Sequence, residues 1–241
     1  MKKFIKSLPI IGPLCIGIGK LRWKYHCWKV DPHRNLCRIL RREKDLFVVQ
    51  IGSNDGATGD PIFRLLQGNP KWEGLLIEPV PFLFERLKRN YRGNKNIHFD
   101  NVAITEKAGR ADFFYIDPLA KERIPELPEW FDQLGSFNRS HITRHFGDKV
   151  EEFIVSMELE TLPLAAVLER NHVKQIDLLH IDTEGYDWIV LRQLDFNRFK
   201  PKVILFEHNH LNEADKKEAV GFLRNHYRIY DLDRDYLCRR I

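Results

Sequence analysis

The sequence predicts an α/β fold built on a mostly parallel sheet with helices covering both faces. Three observations carry this. Short apolar runs recur along the chain, and several end abruptly in glycine or acid. Segments with helical periodicity lie between them. The first of these runs opens a strand, glycine loop and helix in the order of a nucleotide-binding αβ unit.

That first run is Leu46-Phe47-Val48-Val49-Gln50-Ile51, and Gly52-Ser53-Asn54-Asp55-Gly56 follows it. The paired valines favour extended backbone, and the polar cluster cannot continue into a core. Gly52 and Gly56 let the chain turn tightly and approach a ligand with no Cβ in the way. A helix is expected from Asp60-Pro61, with Asp60 as N-cap and Pro61 at the first helical position. The loop is G-x-x-x-G, which is neither the G-x-G-x-x-G of dinucleotide sites nor a triphosphate loop with Gly-Lys-Ser/Thr. The second run, Trp72 to Ile77, ends in Glu78-Pro79. A carboxylate at the end of a second strand can accept both ribose hydroxyls of a bound nucleoside.

The chain of 241 residues, 43% hydrophobic, suits one α/β domain with additions. A net charge of +5 is moderately basic, but the Lys and Arg residues are scattered without the footprint of a nucleic-acid binder, so no nucleic-acid partner is expected. Cys15, Cys27, Cys37 and Cys238 lack C-x-x-C spacing and read as free thiols in a reducing compartment. Residues 1–45 read as a basic and apolar extension preceding the domain at 46–241. Lys2, Lys3 and Lys6 stand before the apolar stretch Leu8 to Gly19, and Trp23, Tyr25 and Trp28 lie within the basic stretch Lys20 to Lys29. Three readings stand for this part: a packed or flexible arm, a peripheral membrane contact, and a secretion signal. The expected location is cytoplasmic, with the membrane contact left open. His33, Asn35 and Arg38 to Arg42 read as the solvated face of a helix leading into the first strand.

Beyond Glu78, Pro81 to Tyr91 has a helical stripe of Phe82, Leu83, Leu87 and Tyr91. Asn96 to Ile104 reads as a third strand, and Gly109-Arg110 turns the chain into another, Ala111 to Ile116, in the same parallel sheet. Residues 117–150 break the rhythm with Pro118, Pro125 and Pro128 and read as a long irregular insertion over the substrate. Within it, Arg139 and His141 are candidate substrate contacts. A strand over Glu152 to Glu158 and a helix over Leu162 to Glu169 follow. The run Ile176 to Ile181 then ends in Asp182-Thr183-Glu184-Gly185, and Val203 to Phe206 ends in Glu207-His208. Acids at the carboxyl ends of parallel strands line the ligand crevice. A helix from Glu213 to Asn225 and two strands joined around Asp231 to Asp235 complete the sheet.

Four pieces of this chain together resemble the FkbM-type family of S-adenosylmethionine-dependent methyltransferases. They are Ile51 to Gly56, Ile77-Glu78-Pro79, Asn101 to Ile104 with Gly109, and Leu179-His180-Ile181-Asp182-Thr183-Glu184-Gly185-Tyr186-Asp187. The first departs from the commoner D-x-G-x-x-x-G form, with Gln50 at the leading acid. The resemblance implies a three-layer, Rossmann-like class I methyltransferase fold, with a mostly parallel seven-stranded sheet and a C-terminal antiparallel hairpin. It implies S-adenosylmethionine as cofactor and methyl transfer to a hydroxyl of a sugar, glycan or small natural product. It places the backbone of Gly52, Ser53 and Asn54 beside the methionine part, Glu78 on the ribose, Val102 with Asn101 beside adenine, and Asp182 at the methyl-transfer site.

The hydroxyl proton needs an acceptor, and two mechanisms fit the strand ends. His208 acts as general base with Asp182 orienting the acceptor, or Asp182, Glu207 and His208 hold a divalent cation. Otherwise these acids only cap loops. Glu207 is also a candidate substrate contact. An NAD-dependent oxidoreductase and a catalytically silent nucleoside-binding protein are the alternative functions. The missing middle glycine and the absence of a repeated mononucleotide half weigh against the oxidoreductase.

Overall fold

The computed structural model describes Tyr25, His26 and residues 28–241. The readings of Lys2 to Gly19, of Cys15, of the basic stretch as far as Lys24 with Trp23, and of Cys27 fall outside the described residues. Among the described residues, Cys37 and Cys238 are free. No helix among the described residues is long and apolar enough to cross a membrane.

Helix α1 (Pro32–Leu40) starts where Asp31 Oδ1 accepts the Arg34 N–H at 2.7 Å. Asn35 is not solvated as expected: its side-chain amide is buried and donates to the carbonyls of Lys29 and Asp31. Strand β1 (Phe47–Ile51) follows, then α2 (Phe63–Gly68), β2 (Glu73–Ile77), α3 (Pro81–Asn90) and β3 (Ile97–Asp100). Helix α2 begins at Phe63 rather than Pro61. Asp60 still accepts the N–H groups of Ile62 and Phe63, but the first turn it caps is not yet α-helical.

The main sheet has seven strands in the order β10-β11-β9-β8-β1-β2-β3, with β8 at Leu178–Ile181, β9 at Val203–Glu207, β10 at Tyr227–Asp231 and β11 at Asp235–Arg240. Strands β3, β2, β1, β8 and β9 run parallel, while β11 is antiparallel to both β9 and β10. This is the three-layer, Rossmann-like arrangement with the expected terminal hairpin. Period-two alternation divides the core. Val48, Leu76, Leu178 and Leu205 pack with Leu36 and Leu40 of α1 and with Leu65 and Leu87. Val49, Ile51, Leu75, Leu179 and Ile204 face the opposite layer, formed by α6 (Leu164–Arg170), α7 (Asp187–Leu191) and α8 (Glu213–Leu223).

The stretch expected as one third strand is two. Asn101 donates its side-chain amide to the carbonyls of Glu78 (2.7 Å) and Pro79 (2.8 Å), and this interrupts the ladder. The chain then leaves for a second sheet, of order β4-β7-β5-β6. Its strands are β4 (Ala103–Ile104), β5 (Gly109–Ile116), β6 (Gly135–Ser136) and β7 (Ile154–Leu162). Strand β5 is therefore antiparallel to β7, with Gly109 opposite Thr161 and Ile116 opposite Ile154, rather than part of the parallel sheet.

Residues 117–150 are not irregular. They form α4 (Ala120–Arg123), two 3₁₀ turns and α5 (Arg139–Phe146), and Ala120, Ile124, Leu127, Phe131, Leu134, Ile142 and Val150 enclose a small core of their own. Asn138 caps α5 by accepting the Ser140 N–H at 3.0 Å, and Gly147 ends it at φ +73°. Asp132 pairs with Arg86, which ties this small core to α3.

Candidate active site

The loop after β1 is shaped by its neighbours. The N–H groups of Gly52 and Ser53 both donate to the Ile77 carbonyl at 3.0 Å, and the Asp182 N–H donates to Ile51. Gly52 sits at φ +79°, and a Cβ there would lie 1.7 Å from the Asp182 carbonyl oxygen. The glycine is thus required by the close passage of β8. Gly56, at φ +68°, would meet Leu87 and Tyr91 of the α3 region, so packing fixes it as well.

Asn54, at φ +49°, turns its N–H onto Glu78 Oε2 at 2.8 Å, and the Val80 N–H donates to Oε1 at 2.8 Å. Glu78 is buried, and burial pushes its carboxyl up to about 7 against those two N–H groups, which favour the charged form. Two oxygens with free lone pairs remain beside an open space. This space is a cavity of about 330 Å³ outside the carboxyl ends of the strands. Gly52, Asn54, Glu78, Val102 and Ile104 wall one half. Phe113 of β5, Phe137 and Asn138 between β6 and α5, and His141 and Arg144 of α5 wall the other, with Asp182 to Tyr186 and His210 between them.

Of the residues expected in the cofactor site, Gly52, Asn54, Glu78, Val102 and Asp182 line this cavity. Ser53 is buried with its Oγ on the Gln50 carbonyl, and Asn101 braces the Glu78-Pro79 backbone; both act on the loops behind the wall. His141 lines the cavity, whereas Arg139 donates to the Glu151 carbonyl at 3.0 Å and lies outside it.

Asp182 stands between this cavity and a second one of about 440 Å³, lined by Asp60, His180, Glu207, Arg234 and Asp235. Burial, and then the nearby Glu207 and Glu184, hold the Asp182 carboxyl well above the usual range. Glu207 is pushed up to about 8 by burial first, with Glu184 adding and Arg234, at 3.1 Å, opposing. Burial lowers His180 to about 4 and keeps it neutral. Glu207 Oε2 and His180 Nδ1 have no hydrogen-bond partner among the described residues.

The expected trio of Asp182, Glu207 and His208 is not assembled. Strand β9 ends at Glu207, but the His208 N–H still bonds the Arg234 carbonyl at 2.9 Å, so the side chains keep alternating. His208 stacks on Tyr236, with centroids 3.8 Å apart, and its Nε2 lies 3.4 Å from Asp231 Oδ1. It lines neither cavity. The imidazoles that do gather at the cleft are His141, His145 and His210, around Glu184. His145, His210 and Arg144 carry no signal of their own in the sequence, and Glu184 shows there only as one acid of the Asp182 to Gly185 strand end. The spacing of His141 and His145 marks one face only once the segment is known to be helical.

The family model described as Methyltransferase FkbM domain matches residues 50–237. The chain is 26% identical over 155 residues to the 2-O-methyltransferase NoeI of Sinorhizobium fredii, covering 64% of this chain and 58% of that protein. A crystal structure of methyltransferase FkbM from Methylobacillus flagellatus KT aligns with TM-score 0.49 and 14% identity, over 81% of this chain and 44% of that one. The Methanococcus jannaschii fibrillarin pre-rRNA processing protein aligns with TM-score 0.43 and 12% identity, over 82% of this chain and 67% of that one. The chain thus spans little more than half the length of the curated relative it matches. The family match covers most of the strands that build both sheets, and on that match the chain belongs to the FkbM methyltransferase domain family.

Proposed function

We propose that this chain transfers a methyl group from S-adenosylmethionine to a hydroxyl oxygen of a sugar, glycan or small natural product. The observation that carries this is the buried Glu78 carboxylate, held by the Asn54 and Val80 N–H groups at the rim of a strand-end cavity. Family membership supports the donor, and a relative named a 2-O-methyltransferase supports an oxygen acceptor.

In this reading the ribose hydroxyls donate to Glu78 and adenine lies against Val102. The methionine part follows the backbone of Gly52 and Asn54. The acceptor occupies the half under α5, bordered by His141 and Arg144. A sulfonium methyl is already activated, so the protein's main task is to align the acceptor oxygen with it. Asp182, between the two halves, is the group we assign to take the hydroxyl proton. His208 is turned onto Tyr236 and lines neither cavity, so it does not serve there. A cation held by Asp182, Glu207 and His208 loses its imidazole for the same reason.

We take residues 46–241 as the catalytic domain, with α1 of the preceding extension packed on it and residues 117–150 as the acceptor cover. The exposed, stacked rings of Tyr25 and Trp28, 5.7 Å apart, support a peripheral membrane contact for a cytoplasmic protein. An acceptor screen tests the function: the chain is incubated with S-adenosylmethionine and a panel of free sugars, oligosaccharides and hydroxylated small molecules. A gain of one methyl by mass spectrometry, lost in Asp182→Asn, is expected. Methylation confined to nitrogen or carbon acceptors would overturn the oxygen assignment.

A further inference from the structure

We propose that His141, His145, His210 and Glu184 form a binding site for a divalent transition metal of the zinc class. The site rests on side-chain geometry and is independent of the methyl-transfer reading.

The four side chains come from three places in the fold. His141 and His145 lie four apart on α5, and hence on one face of that helix. Glu184 belongs to the loop after β8, and His210 to the loop after β9. One potential ligand atom from each lies within 4.8 Å of all the others.

The rings form a nearly equilateral triangle: centroids are 4.8 Å apart for His141 and His145, 5.0 Å for His141 and His210, and 5.0 Å for His145 and His210. A zinc ion with nitrogens at about 2.0–2.1 Å in tetrahedral array sets ring centroids about 5.2 Å apart. The carboxylate completes the figure. Glu184 Oε2 lies 3.3 Å from His141 Nε2 and 3.3 Å from His210 Nε2. The edge of such a tetrahedron is about 3.3 Å. An ordinary N–H···O bond is shorter, about 2.9–3.0 Å, so the spacing suits two ligands of one ion better than a hydrogen-bonded pair.

The ring of His145 is also oriented for ligation. Its Nδ1 lies 3.2 Å from the His141 carbonyl oxygen. A proton donated there leaves the lone pair on Nε2, the arrangement in which a backbone carbonyl fixes the tautomer of a metal-bound histidine. Three neutral imidazoles and one carboxylate are a donor set for zinc rather than for magnesium or calcium, which take mainly oxygen. The neighbouring carboxylates of Asp182, Glu184 and Glu207 also approach within 4.8 Å, but they offer no nitrogen.

A metal here ties α5 to the loops after β8 and β9. Three of its four ligands, His141, Glu184 and His210, also line the cavity, so the ion fixes α5 at the wall of that cavity.

The test uses the full chain, stripped with a chelator, desalted and titrated with zinc(II). Stoichiometry is read by elemental analysis after gel filtration, and affinity by competition with a chromogenic chelator. One zinc per chain is expected, together with the intense visible absorption of tetrahedral cobalt(II) when cobalt replaces zinc. His145→Ala and His210→Ala, each checked for folding by circular dichroism, should weaken binding at least about 100-fold, the upper end of what losing a ligand's hydrogen-bond partner costs. Glu207→Gln should leave affinity within about 3-fold. Failure of the wild-type chain to retain zinc would overturn the site, whether or not any variant folds. So would binding that survives both histidine substitutions, or that falls in Glu207→Gln alone. Calorimetry of S-adenosylhomocysteine on the stripped chain reports on the cofactor site separately, so failure of one assignment is distinguishable from failure of the other.

Discussion

The Glu78 carboxylate accepts the Asn54 N–H at 2.8 Å, and that bond joins the end of β2 to the loop after β1. One side chain therefore shapes the loop and faces the cavity. Because it is buried, its charge state becomes a property of both folding and binding.

The first prediction follows from that charge. Unfolded, Glu78 titrates near its ordinary 4.5; folded, at about 7. Between these values the native state keeps a proton that the unfolded chain has released. The stabilisation is thus complete below the unfolded pKa and is lost as pH rises through about 7. In the proposed cofactor pose the ribose hydroxyls donate to the ionised form, so binding S-adenosylhomocysteine below that pKa should release a proton. Calorimetry at pH 6 in buffers of different ionisation enthalpy measures it. Proton release should vanish in Glu78→Gln, and unchanged release there would assign the proton elsewhere.

Two glycines with similar φ should behave differently. Gly52→Ala forces a Cβ to within 1.7 Å of the Asp182 carbonyl, whereas at Gly59, φ +74°, the same atom meets nothing within 4 Å. Gly59→Ala should cost about 1 kcal/mol, the conformational penalty alone. Gly52→Ala should exceed about 3 kcal/mol. At roughly 2–4 °C per kcal/mol for a chain of this size, thermal melts separate the two. Equal shifts would mean that the β1–β8 contact yields easily.

Arg144 lines the cavity and Arg139 does not. Arg144→Ala should raise the acceptor KM by about 10-fold or more with S-adenosylhomocysteine affinity unchanged, while Arg139→Ala stays within about 2-fold in both. Steady-state kinetics with the acceptor from the screen checks this. The reverse order would show that α5 turns when substrate binds.

Asp182→Asn should lower kcat by about 100-fold or more, the usual contribution of a positioned proton acceptor. His208→Ala should lower the melting temperature by a few degrees, because the Tyr236 stack is lost, and leave kcat within about 3-fold. A large kcat loss in His208→Ala would return the base to that residue.

The parallel core was legible because β1, β2, β8 and β9 are buried on both faces and read as apolar runs broken by a polar end. Gly52, Glu78 and Asp182 sit at those ends, so this part of the site was legible too. Strands β5 and β7 are half-exposed and antiparallel; their alternation holds no sign of which sheet they join. In residues 117–150 the prolines hid apolar positions three or four apart, Ala120, Ile124, Leu127, Phe131 and Leu134, which close the small core. Once that segment reads as a loop, His141 and His145 have no common face, and His210 looks no different from His208.

The central claim is that the cavity beside Glu78 holds the methyl donor, and titration calorimetry of S-adenosylhomocysteine into the wild-type chain and Glu78→Ala tests it most directly. The account predicts one site of micromolar affinity in the wild type and a loss of about 10- to 100-fold in the variant, the worth of hydrogen bonds to a buried charged acceptor. Absence of binding to the wild type, or equal affinity in the two proteins, would contradict it.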